Sequence, residues 1–255
     1  MKSGGKHEIL KDRHEMKKKW SRPWIYSERN EKIFSKQGVN GVELLNSTPL
    51  PTDYGDWTYL VFGDYTTGRE QTMMIYGDFK RGSIGDGRGV IVRIHSACAT
   101  SEVFHSNNCE CREELIEAMK RIKRAGRGII VYLYQEGGGN GLSAKAAAYN
   151  NTFFWKNGKI RSKNISVYDS FRELKYKNEN RSFTAAAEML RQVGVKSVRL
   201  LTNNPKKIEG LKKYGFDVKP AGIHIKPKNT VIANHLRAKA KLLKHHIDKK
   251  DWATK

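Results

Sequence analysis

The sequence predicts a mixed α/β (α+β) fold, with an antiparallel β N-terminal part followed by strands and helices that alternate around a mixed sheet. Two observations carry this. Before residue 97 the apolar residues come in short runs separated by turn residues, which is the pattern of hairpins. Beyond Cys111 short apolar runs alternate with longer stretches of helical periodicity, which is the pattern of strand–helix units. A chain of 255 residues, 38% of them hydrophobic, can fill one large core or two small ones.

Taken in order, residues 1–45 are polar, lysine-rich and weakly periodic, and read as a basic extension before a domain at 46–255. "NSTPLPTDYGDW" is rich in turn residues and predicts a turn region. "TYLVFGDY" and "TMMIYGDF" are strands joined by "TTGRE", and "VIVRIH" is a strand that runs into the cysteines. "REELIEAMKRIKRAG" places Leu115, Ile116, Met119 and Ile122 on one helical face, with Gly126 as its stop. "GIIVYLY" is a buried strand, "QEGGGNG" a loop, and "LSAKAAAYNN" the start of a helix. Residues 155–180 are polar and basic and predict a long surface loop or insert. "SFTAAAEMLRQVGV" is an amphipathic helix and "KSVRLL" a strand. In "TNNPKKIEGLKKYG" Asn204 suits the N-cap and Pro205 the first helical position. "FDVKPAGI" is a last strand and "VIANHLRAKAKLLKHH" a terminal helix.

The net charge of +22, from 48 basic and 26 acidic residues, favours an anionic partner or a merely solvated lysine surface. No zinc-finger, helix-turn-helix or RNA-recognition signature accompanies it, so nucleic acid is not the expected partner. No run approaches the roughly 18 apolar residues of a membrane helix, and the charged N-terminus does not resemble a secretory signal. Three cysteines are an odd number for a disulfide framework, which points to a reducing cytoplasm.

All three cysteines fall in "HSACATSEVFHSNNCEC", residues 95–111. Cys109 and Cys111 can reach one ion from a tight turn, with Cys98 returning from the end of the preceding strand. Zinc accepts thiolates in a tetrahedron, and three protein ligands leave one position for a water that the ion acidifies into a nucleophile. Two other readings stand beside this one: three inert buried cysteines, or a structural site closed by His95 or His105. Downstream, the helix predicted from Pro205 carries Lys206 and Lys207 in its first turn. Lysines oppose the helix dipole there unless an anion is close, which points to phosphate. "QEGGGNG" lacks the register of a dinucleotide-binding loop, and Glu136 at its start can hydrogen-bond a base edge instead.

Together "VRIHSAC", "CEC", "VYLYQEG", "KAAAY", "ENRSF", "GVKSVRLLTNNPKK" and "NHLRAKA" resemble GTP cyclohydrolase II of riboflavin biosynthesis, over roughly residues 48–245. The resemblance implies one catalytic zinc per chain on Cys98, Cys109 and Cys111, with magnesium for the triphosphate. It implies opening of the guanine imidazole ring, release of C8 as formate, and loss of pyrophosphate through Arg181. It sets Glu179 as the acidic partner of Arg181 and Tyr149 near the base. Arg93, Thr202 and Lys207 match nucleotide contacts, and Glu114 stands where the family has a base-pocket glutamine. The family also implies a homodimer. Five more positions depart from the family pattern: Ala97 and Gly138 replace a glutamate and an arginine, Arg112 replaces a glycine, Ala147 replaces another arginine, and Glu179 replaces an aspartate. An ionised carboxylate only accepts hydrogen bonds where glutamine also donates. Two alternatives to the GTP reaction follow: the same zinc chemistry on another nucleotide or halted at a formylated intermediate, and a non-catalytic nucleotide- or RNA-binding protein.

Overall fold

The structure is a computed structural model and describes residues 41–252. Strands β1 (Val42–Thr52), β2 (Gly55–Asp64) and β3 (Arg69–Tyr76) open the fold and pair antiparallel in chain order. A small hairpin, β4 (Phe79–Lys80) and β5 (Ser83–Ile84), leads to β6 (Val90–Ser96). Helices α1 (Ala99–Glu102) and α2 (Cys111–Ala125) connect β6 to β7 (Gly128–Leu133). There follow α3 (Leu142–Thr152), β8 (Phe153–Lys156), β9 (Lys159–Ser162), α4 (Val167–Glu173) and α5 (Thr184–Gln192). The chain closes with β10 (Ser197–Leu201), α6 (Pro205–Lys213), β11 (Asp217–Ala221) and α7 (Thr230–Leu242).

Seven strands form one sheet in the order β1-β2-β3-β7-β6-β10-β11. The change of direction falls at β7, which is antiparallel to β3 and parallel to β6. Beyond it β6, β10 and β11 are all parallel. This is the mixed sheet predicted from the change of periodicity near Cys111.

Alternation along the parallel strands decides which side chains meet which helices. Val90, Val92 and Ile94 face the helices α5 and α6, where Met189, Leu190 and Leu211 complete the main core. Ile91 and Ile130 face α2, packing with Met119 and Ile122. Each fully buried aliphatic side chain contributes about 1.5–3 kcal/mol. The same alternation puts Arg93 and His95 on the α2 side, buried near the end of β6. α2 stops at Gly126, whose φ of 73° is the left-handed conformation that glycine adopts without penalty.

Three sequence expectations are corrected. "NSTPLPTDYGDW" is largely strand: β1 and β2 pair from Val42/Asp64 to Thr52/Gly55, and only residues 53–54 turn. Pro49 and Pro51 are tolerated because β1 is an edge strand. Residues 155–180 hold elements of their own, the β8–β9 hairpin and α4. Asn157 and Gly158, at φ 51° and 68°, make the two-residue hairpin turn typical of Asn-Gly. Ser166 and Asp169 form a reciprocal capping box at the start of α4. Finally, β1 begins at Val42, inside the expected 1–45 extension, because Val42 is buried in the core. Residues 1–40 lie outside the described residues.

A candidate metal and nucleotide site at the carboxyl ends of the parallel strands

Parallel sheets bind ligands beyond the carboxyl ends of their strands, and the main cleft of this chain lies there. It is lined from the ends of β6, β7 and β10 and closed by α2, α3 and α7.

At one end of the cleft the three cysteines converge. Cys98 caps α1 just past β6, and Cys109 and Cys111 flank the start of α2. Their sulfurs all lie within 4.8 Å of one another, and Cys98 Sγ is 3.6 Å from Cys109 Sγ. Two thiolates on one tetrahedral zinc, at about 2.3 Å each, stand roughly 3.8 Å apart, so the donor set fits that ion. Among the described residues no His, Asp or Glu joins the cluster, so neither His95 nor His105 closes it.

Hydrogen bonds from Cys109 and Cys111, then the charge of Lys145, hold the Cys98 thiol far below its ordinary range. Cys109 is pulled down by its bond to Cys111, but its bond to Cys98 and burial outweigh this and push it up to about 12. Bonds to Cys109 and Cys98, with burial, raise Cys111 too. The three thiols thus shift together as one hydrogen-bonded trio, whose protons a cation can replace.

Lys145, on α3, anchors this thiolate. Its Nζ donates to Cys98 Sγ at 3.1 Å and to Glu136 Oε2 at 2.8 Å. Glu136 Oε1 accepts the N–H of Ala99, so both oxygens of Glu136 already have partners. Tyr149 OH lies 3.2 Å from Thr100 Oγ1 beside the cluster, and burial raises its pKa, so the phenol stays protonated.

At the other end cations gather, each with a partner. Arg93 is paired with Glu114 and donates to Leu201 O at 3.0 Å. Arg181 Nε donates to Glu179 Oε1 at 2.6 Å, and Asn204 Nδ2 donates to Glu179 Oε2 at 3.1 Å. Lys239 donates to Glu110, whose other oxygen lies 2.8 Å from His235 Nδ1. Burial opposes the charge on Glu110, but Lys239 and His235 prevail and hold it at about 2. Lys239, Arg93 and Lys207 likewise outweigh burial and lower Glu114. Lys207 differs, since it donates to the carbonyl of Ile94 at 2.7 Å. Burial, then Arg93 and Arg181, drive its pKa well below the ordinary lysine range.

The cleft therefore gathers Cys98, Cys109, Cys111, Arg93, Glu114, Glu136, Tyr149, Arg181, Thr202 and Lys207, while Glu179 braces Arg181 from behind. Thr202 is buried, and its Oγ1 accepts the N–H of Asn204 at 3.0 Å, shaping the turn into α6. Asn204 caps α6 and Pro205 opens it, as the sequence predicts. Ala97 and Gly138 line the cleft. Gly138 has φ 64°, and a Cβ there would sit 3.2 Å from Asn178 O, so the backbone is built for glycine.

Sequence reasoning missed Lys145, Glu110, His235, Lys239 and His245. A signal was present for α7: His235 and Lys239 lie at i and i+4 on its buried face, where polar residues need partners. The partner of both, Glu110, sits between two ligand-type cysteines and is 1% exposed.

The GTP cyclohydrolase II family model matches residues 43–221. Riboflavin biosynthesis protein RibBA of Parabacteroides distasonis is 38% identical over 189 residues, 74% of this chain and 42% of that protein. RibBA of Endomicrobium trichonymphae is 32% identical over 225 residues, covering 88% and 50%. The chain thus spans half or less of the length of these two relatives. GTP cyclohydrolase-2 of Haemophilus influenzae is 33% identical over 206 residues, 81% of this chain and 89% of that protein. A solved structure of RibBX, a two-domain 3,4-dihydroxy-2-butanone 4-phosphate synthase from A. baumannii, overlays with a TM-score of 0.37 at 15% identity, covering 74% and 42%. The family model covers the whole seven-stranded sheet apart from the first residue of β1, and one relative is matched over nearly its full length: this chain belongs to the GTP cyclohydrolase II family.

Proposed function

We propose that this chain is a zinc-dependent GTP cyclohydrolase II, which opens the imidazole ring of GTP by hydrolysis, releases C8 as formate and frees pyrophosphate. The observation that carries this reading is the cleft itself, with a three-thiol cluster at one end and Arg93, Arg181, Lys207 and Lys239 at the other. A base placed at the thiols and a phosphate chain placed among the cations fit that polarity.

Cys98, Cys109 and Cys111 hold one zinc, which when bound supplies Lewis acidity and acidifies water. Lys145 and Glu136 fix the Cys98 sulfur, a second layer of contacts that sets ligand orientation. Tyr149, protonated beside the cluster, would donate a hydrogen bond to a ring nitrogen. Arg181, charged and oriented by Glu179, faces the phosphates together with Lys207. An arriving phosphate would favour the charged form of Lys207, which burial and the charges of Arg93 and Arg181 disfavour. The proposal also includes magnesium on the triphosphate, a homodimer and a cytoplasmic address, all from the family likeness. No helix among the described residues is long and apolar enough to cross a membrane.

A second reading keeps the chemistry and changes the nucleotide. Glu114 favours it, because a carboxylate already paired with Arg93 offers a base only acceptors. The test is a panel of purine nucleoside triphosphates assayed for formate and pyrophosphate. Equimolar release of both from GTP, in preference to the others, supports the first reading. Preference for another nucleotide, or pyrophosphate without formate, supports the second. No product from any of them leaves a binding protein.

A further inference from the structure

Two buried polar atoms of cleft-lining residues have no hydrogen-bond partner among the described residues: Ser96 Oγ and His245 Nε2. Ser96 is two residues from Cys98 and belongs to the metal end. His245 comes from the segment after α7 and has no role in the site as described so far.

The fold holds this segment firmly. Leu243 is buried against Ala144, Tyr168 and Phe171. Lys244 takes a left-handed φ of 56°, which turns the chain so that the next side chain enters the cleft. The His245 N–H donates to Lys239 O at 3.2 Å, and the His246 N–H donates to Asn203 O at 2.8 Å, tying the segment to the turn before α6. An imidazole positioned this well, with a buried nitrogen left unpaired, is costly unless a ligand completes it.

The charges around the ring indicate which ligand. Burial, then Lys239 and Arg181, pull the imidazole down to about 2, so it is neutral. A neutral imidazole carries one N–H and can donate without adding charge to a site already crowded with cations. We propose that His245 is a phosphate-contacting residue of the nucleotide site, donating from Nε2 to a phosphate oxygen. The proposal rests on the nucleotide reading above and adds a contact from the C-terminal segment to it.

The test uses calorimetric titration of the full-length, zinc-loaded protein with inorganic tripolyphosphate and, separately, with guanosine. His245→Phe keeps the ring volume without nitrogen, and His245→Gln returns an N–H near the Nε2 position. Tripolyphosphate affinity should fall about tenfold in His245→Phe and recover to within about threefold of native in His245→Gln. Guanosine affinity and zinc content should not change, and the melting midpoint of ligand-free His245→Phe should not fall. Should the phenylalanine variant fold poorly, His245→Asn stands in, since its shorter amide stays polar but does not reach the Nε2 position. Native tripolyphosphate affinity in either nitrogen-deprived or shortened variant overturns the proposal. So does a loss confined to guanosine, or a native protein that binds no tripolyphosphate. Formate release from GTP is scored separately: phosphate binding through His245 without ring opening would retain this contact and reject the proposed reaction.

Discussion

At one end of the cleft, three thiols come from residues 98–111, a single stretch that runs from beyond β6 into the start of α2. At the other end the cations come from β6, the segment before α5, the start of α6, and α7. The thiol end gathers three thiols, a donor set that suits a cation. The cationic end is already neutralised, with Glu114, Glu179 and Glu110 matched to Arg93, Arg181 and Lys239. An anion entering there would compete with those carboxylates, except at Lys207, where the partner is a carbonyl. The difference teaches that this cleft is poised for a cation at one end and held in check at the other.

The contrast breaks most sharply at the thiols. Cys109→Ser should lose zinc and lower formate release by roughly 1000-fold or more, about 4 kcal/mol of barrier. Metal analysis of the purified variant checks it, and full zinc retention with native turnover would remove the thiol cluster from the chemistry. Next comes the carboxylate that joins the two ends. Glu110→Ala leaves Lys239 and His235 buried without their partner, which costs about 3–5 kcal/mol. The melting midpoint should drop by roughly 10 °C, and a drop of only a degree or two would mean that water replaces the carboxylate.

How much of this was legible follows the same division. The thiols were legible because their donors are close in sequence and chemically rare. Asn204 and Pro205 were legible because capping is local. The Glu110–His235–Lys239 cluster was not, because it pairs α7 with the N-cap of α2, residues more than 120 positions apart. The hairpin at Asn157 and Gly158 and the capping box at Ser166 were legible, but the basic composition of 155–180 masked them. Lys145 reads in sequence as one polar position in an alanine-rich helix, and only the fold brings it to Cys98.

A smaller effect sharpens the idea of a cationic end held in check. Glu114→Gln should free Arg93 for ligand, raising kcat/KM for GTP several-fold. It should also cost about 2 kcal/mol of stability, because a charge-assisted hydrogen bond is weakened in a buried site. Glu114 is held below the ordinary carboxylate range, so its stabilising contribution is complete above about pH 4.3 and is lost as pH falls through its lower folded value. The stability gap between native and variant should therefore be widest at pH 7 and already narrower at pH 3, as read by urea melts. A constant gap would show that shape, not charge, makes Glu114 matter.

The smallest expected effect on stability belongs to Lys207, and it has the opposite sign. Its folded pKa lies well below that of the unfolded lysine, so the folded state binds fewer protons at this site. Stability then rises with pH between the folded value and about 10.4, and at pH 7 the buried lysine costs stability. Lys207→Met removes that cost and keeps much of the side-chain volume, while Ile94 O loses one donor. The net gain should be about 1 kcal/mol at pH 7, a few degrees in melting midpoint, shrinking as pH approaches 10. Nucleotide affinity should move the other way, falling about tenfold at low salt with a penalty that lessens as salt rises. A variant that is both less stable at pH 7 and unchanged in nucleotide affinity would make Lys207 a strut for β6, leaving the cationic end with no charge reserved for phosphate.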